Sequence, residues 1–244
     1  MIGFLKKFRT LDLNNVKRWY FSFEGGLCSG KTTMLKKTKE YLESKNLKVA
    51  TFENADEDCR KMFRKREKTN DWIDGHLFCA DTLDINERIK DLELDIYVLE
   101  ERSFLSTLIY QKTLPVGIIY NWHRIDLNSY YDSFNFIATS EYFLFPDVVF
   151  VLDVSPAESY KRAKNDPNEH KIEKWDSEKD LENIRIRYKD LFNANPFLFD
   201  LHFIDEMPLE NTWNRIKEFI DFYITKNYAK SKVVSDLKRL GYRK

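Results

Sequence analysis

The residues with the clearest chemical purpose are Gly25-Gly26-Leu27-Cys28-Ser29-Gly30-Lys31-Thr32. Their spacing is Gly, four residues, then Gly-Lys-Thr, and Thr33 follows. Glycines at these places let the backbone curl, so that successive N–H groups line one concave surface. Such a nest at the start of a helix holds a polyphosphate, because the N–H groups and the helix dipole both favour negative charge. Lys31 is expected to reach the β- and γ-phosphates, and the Thr32 hydroxyl to bind Mg2+. The expected ligand is a nucleoside triphosphate with its metal.

The flanking residues supply the elements this loop needs. Residues 19–23 form a short aromatic run that reads as a buried strand, and 33–47 carry Met34, Leu35, Thr38, Tyr41 and Leu42 at helical spacing. Further strands are expected at 48–52, 96–99, 147–152 and 202–204. Helices are expected at 56–68, 77–92, 103–111, 126–142, 156–164, 177–192 and 209–228, with a break over 70–75. Strands alternating with helices predict an α/β fold, a parallel sheet of about five strands with helices on both faces. Ligands of such sheets bind beyond the carboxyl ends of the strands. Glu53, Glu101, Arg102 and Asp153 all fall at strand ends and are expected to meet the loop in one crevice. An aromatic stripe between 120 and 145 reads as core.

The 244 residues suit one globular domain over 1–225, with a basic helical tail over 226–244. Lys plus Arg and Asp plus Glu balance at 40 each, so no global field favours nucleic acid or a membrane surface. No apolar run reaches bilayer-spanning length. Three cysteines without ligand spacing, Cys28, Cys59 and Cys79, argue for a reducing compartment, and the expected location is the cytosol. The tail reads as a helix that docks either on its own domain or in a homodimer.

Among phosphate-loop proteins, the chain lacks the Asn-Lys-x-Asp base-recognition motif of GTP-binding switches. Instead it resembles the thymidylate kinase and deoxynucleoside kinase family, from about residue 19 to 224. The resemblance is carried by Phe23-Glu24-Gly25 through Thr33, by Leu77-Phe78-Cys79-Ala80-Asp81 and by Glu101-Arg102-Ser103 with Ser106-Thr107 and Tyr110-Gln111. It extends to Leu152-Asp153-Val154-Ser155-Pro156 with Arg162, to 181–188, and to Ile204-Asp205. The resemblance implies a phosphate-loop kinase fold with a lid over about 162–178. It implies ATP and Mg2+ as cofactors, held by the loop, with Glu101 joining Thr32 at the metal. Arg102 would bridge donor and acceptor phosphates, because a guanidinium binds phosphate oxygens in pairs. Arg162 would stabilise transferred charge from the lid.

Two departures touch the acceptor. Where thymidylate kinases carry Thr-Arg-Glu-Pro, this chain has Thr51-Phe52-Glu53-Asn54, and Thr82 stands where an arginine usually follows the Leu77–Asp81 motif. Both remove positive charge from the place of a monophosphate. Glu53 matches the acidic residue with which deoxynucleoside kinases take a proton from a 5′-hydroxyl. Three readings follow: a thymidylate kinase-like enzyme acting on a pyrimidine nucleoside monophosphate, dTMP by family; a deoxynucleoside kinase; and a nucleotide-binding regulator without turnover.

Overall fold

The computed structural model describes residues 19–53, 71–93, 95–111, 144–165, 177–194 and 200–226. Its strands are β1 (Tyr20–Gly25), β2 (Lys48–Glu53), β3 (Ile96–Glu101), β4 (Val148–Asp153) and β5 (Asp200–Asp205). Its helices are α1 (Lys31–Ser44), α2 (Asp71–Lys90), α3 (Phe104–Gln111), α4 (Pro156–Lys164), α5 (Glu178–Ala194) and α6 (Leu209–Lys226). All strand pairs are parallel, in the order β2-β3-β1-β4-β5. The chain winds to one side of β1 for β2 and β3, then to the other for β4 and β5. The crevice where winding reverses therefore opens at the carboxyl end of β1.

Alternation along the strands gives the sheet two different faces. One is aromatic. Phe21 stacks on Phe150 and Phe23 packs tilted against it, with centroids 6.1 and 5.5 Å apart, and α1 and α6 close over them through Met34, Leu42, Ile216, Ile220 and Tyr223. The other face carries Tyr20, Ser22 and Glu24 of β1 beside Val98 and Glu100 of β3, all buried. Here the cover comes from α2, α3 and α5, through Ile85, Ile89, Phe104, Leu105, Ile184 and Tyr188.

The five strands fall within one or two residues of their expected places. One expectation is corrected. No break falls within 71–75, because α2 already runs from Asp71 and includes Gly75. A lone glycine costs a helix interior only about 1 kcal/mol, and a helix of 20 residues absorbs it. The expected helices over 56–68 and 126–142, the tail beyond 226 and most of the lid segment lie outside the described residues. Among the described residues no helix is long and apolar enough to cross a membrane.

Candidate functional site

The loop between β1 and α1 takes its shape from backbone that most side chains resist. Gly25 has φ +134°, and a Cβ there would lie 2.7 Å from the Leu152 carbonyl oxygen, so only glycine fits against β4. Gly30 sits just before α1 in the left-handed conformation. Cys28 is also left-handed, with φ 47°, and half-buried. The first turn of α1 has no acidic residue and no side chain capping its N–H groups. By contrast, α4 is capped by Ser155, which accepts from the Glu158 N–H, and has Pro156 in its first turn. The N–H groups at the start of α1 are thus open to an external anion.

Lys31 lies inside the curl of the loop rather than partly exposed, as the loop position alone suggests. The residue is 4% exposed, and its ammonium donates to the Gly26 carbonyl at 2.6 Å and to Ser29 Oγ at 3.3 Å. The reason is local: the curl that makes the nest also encloses the lysine stem. Burial, with the nearby Arg102 charge, pulls the ammonium down to about 7, against the opposite pull of Glu101 and Glu24. Thr32 and Thr33 are exposed at the start of α1.

The sheet register brings the strand-end groups together. Glu101 pairs with Phe23 on one side and with Glu53 on the other, so both carboxylates share a face beside the loop. Glu101 is buried and Glu53 exposed. Arg102 follows at once, half-buried, with its guanidinium carbon 5.0 Å from the centre of the Tyr110 ring. The Tyr110 hydroxyl in turn donates to the Gly25 carbonyl at 3.2 Å. Glu100 points the opposite way, towards Tyr20, so it is not the ion-pair partner of Arg102. The donor set of Thr32 hydroxyl and Glu101 carboxylate suits a hard cation that keeps most of its water. Among the described residues there is no cluster of three or more His, Cys, Asp or Glu that would cage a metal by itself.

Two expected site residues stand differently. Arg162 is on α4, half-buried, and its Nε pairs with Glu158 Oε1 at 2.9 Å, one turn back on the same helix. The α4 residue that does touch the loop is Ser159, whose hydroxyl donates to the Leu27 carbonyl. Asp153 is bound by Arg185 through two bonds of 2.6 and 3.2 Å and by Lys189 at 3.0 Å. Burial pushes its carboxyl up, but these cations outweigh that and leave it below the usual range. Asp153 thus fastens β4 to α5.

In the sequence Glu24 stands out only as part of the Phe23-Glu24-Gly25 motif. In the structure it is fully buried and accepts five hydrogen bonds, from Ser22, twice from Ser103, from Ser106 and from Tyr188. A carboxylate next to a glycine loop inside an aromatic strand was the available signal, since a charge is not buried without partners.

Comparison with known proteins agrees with this architecture. The thymidylate kinase family model matches residues 23–202. A "Probable thymidylate kinase" of Sulfurisphaera tokodaii is 30% identical over 180 residues, covering 73% of this chain and 85% of its own. One from Methanosphaera stadtmanae is 27% identical over 204 residues, covering 79% and 91%. The solved thymidylate kinase from Ehrlichia chaffeensis shares the fold, with a TM-score of 0.55 at 19% identity over 83% of this chain and 98% of that one. The chain belongs to the thymidylate kinase family of ATP-dependent nucleotide kinases.

Proposed function

We propose that this protein transfers the γ-phosphoryl group of Mg·ATP to the phosphate of a pyrimidine nucleoside monophosphate, dTMP being the first candidate. One observation carries the reading: Lys31, Thr32, Glu101 and Arg102 lie around the carboxyl ends of two adjacent strands, beside helix N–H groups free of any side-chain cap. Phosphoryl transfer asks chiefly for positioning and charge neutralisation, and these groups supply both. The nest from Gly25 to Thr33 binds the triphosphate. Lys31 leaves the Gly26 carbonyl for the β- and γ-oxygens and regains full charge there. Arg102 holds donor and acceptor phosphates in line. Thr32 and Glu101 would hold Mg2+, which supplies neutralisation of the charge that develops on the phosphate oxygens. Arg162 serves from α4 once it exchanges Glu158 for phosphate.

A second reading, a nucleoside 5′-hydroxyl as acceptor, is favoured by the residues around Glu53. Thr82 is 1% exposed and packed within the fold, and Phe52 lies under the Arg88 guanidinium at 5.3 Å, so neither position offers a cation to a monophosphate. Glu53 itself stands exposed at the end of β2, in register with Glu101, where it could take a hydroxyl proton.

The test is ATP consumption with Mg2+ across nucleosides and nucleoside monophosphates. Turnover with dTMP and not thymidine supports the first reading. Turnover with nucleosides alone overturns it in favour of the second. No turnover with either, alongside ATP binding, overturns both and leaves a nucleotide-binding regulator.

A further inference from the structure

Glu24 sits one residue before the phosphate loop, and its five donors come from three separate parts of the chain. Oε1 accepts from Ser22 Oγ at 2.9 Å, the Ser103 N–H at 2.8 Å and Ser103 Oγ at 2.7 Å. Oε2 accepts from Ser106 Oγ at 2.5 Å and the Tyr188 hydroxyl at 2.8 Å. The two oxygens therefore face different elements: Oε1 faces the junction of β3 and α3, and Oε2 faces α3 and α5.

Arg102 lies at that junction with φ 65°, a left-handed conformation that is unfavourable for a residue with a side chain. Such strain persists only where the surroundings fix it. Two N–H groups bracket Arg102. Its own donates to the Phe23 carbonyl at 3.1 Å, and the next, that of Ser103, donates to Glu24 Oε1. Ser103 also starts α3, accepting from the Leu105 N–H at 3.3 Å. The direction in which the Arg102 side chain leaves the backbone is thus set by neighbours on β1.

We propose that Glu24 is a positioning residue: through Ser103 it holds Arg102 in its left-handed conformation and so aims the guanidinium at the phosphate loop. The Tyr188 hydroxyl on the second oxygen ties α5 into the same hold. The hold itself is a matter of geometry, and only its kinetic consequence rests on the proposed phosphoryl transfer. Replacing Glu24 by leucine keeps the bulk and removes both acceptors, leaving the Ser103 N–H unpaired. Replacing it by glutamine keeps an oxygen for Ser103, and the amide can donate to the Ser106 and Tyr188 hydroxyls, which rotate to accept.

The experiment combines crystal structures with a double-mutant cycle. In Glu24→Leu, Arg102 should leave the left-handed conformation and kcat should fall roughly 10–100-fold with KM for ATP little changed, while Glu24→Gln restores both. In an Arg102→Ala background, Glu24→Leu should add less than about 2-fold, because the residue acts through Arg102. Ser103→Ala, a milder cut at the same hold, carries the same cycle if Glu24→Leu does not fold. Arg102 unchanged in the Glu24→Leu structure, or losses that multiply in the cycle, would overturn the proposal. A relaxed Arg102 with undiminished kcat would uphold the positioning and remove Arg102 from the transfer reading.

Discussion

The Tyr20 hydroxyl on β1 donates to Glu100 Oε2 on β3, while Oε1 of the same buried carboxyl has no hydrogen-bond partner among the described residues. Burial, reinforced by Glu24 and Asp81, pushes Glu100 up to about 8, and the Tyr20 bond only partly opposes it. The folded protein therefore keeps a proton that the unfolded chain releases above about 4.5. Stability falls as pH rises between those two values and levels off above the higher one. Glu100→Gln keeps an acceptor for Tyr20 and cannot ionise. Its melting temperature should draw level with or exceed wild type as pH rises from about 5 to about 8, the gap widening by several degrees. Calorimetry across that range checks this, and parallel curves for the two proteins would contradict it.

Lys31 titrates the other way. Free protein at pH about 8 carries it mostly neutral, since burial holds it near 7. Bound triphosphate should restore its charge, so nucleotide binding takes up to about one proton from solution at that pH and almost none at pH about 6. Titration calorimetry in buffers of different ionisation enthalpy measures the uptake. Lys31→Met should abolish it and lower kcat by roughly 10²–10³-fold. Its melting temperature should change little, because the hydrogen bonds of the lysine to Gly26 and Ser29 stay within its own loop.

Glu53→Gln separates two roles. As a proton acceptor, Glu53 should cost kcat about 10²–10⁴-fold when replaced, with KM for the acceptor near wild type. A change confined to KM would assign it to acceptor placement alone. Since Glu53 is exposed, either result should come without loss of stability.

Cys28 should be the more reactive of the two described thiols. It is half-buried in the phosphate loop, close enough to Lys31 for their charges to interact, whereas burial pushes the Cys79 thiol up to about 12. Iodoacetamide should label Cys28 first and block ATP binding, and Mg·ATP should protect it. Mass-spectrometric mapping with and without nucleotide decides; equal labelling in both states would end the idea.

Local patterns announced much of this molecule. The strands, the loop glycines and the start of α4 at Pro156 are written in adjacent residues, where alternation and turn chemistry act within a few positions. That Glu53 and Glu101 end neighbouring strands was legible too, whereas their exact register is set by the pairing of β2 with β3. What stayed hidden depends on distant partners. The donors to Glu24 lie up to 164 residues away in sequence, and no spacing rule links Tyr188 to β1. Burial of Lys31 comes from how the loop closes over its stem, and the pairing of Arg162 with Glu158 from a choice among nearby charges. Gly75 read as a break because its local cost is visible while the length of helix that offsets it is not.

The unlike faces of the sheet give this protein two separate cores. Phe21, Phe23 and Phe150 pack on the side of α1 and α6, apart from Ser22, Glu24 and Glu100 on the other. Substitutions on the polar side should then combine almost additively with those in the aromatic layer, since few partners are shared. A lineage can thus change the packing around Phe52 on one face while the aromatic layer on the other stays intact.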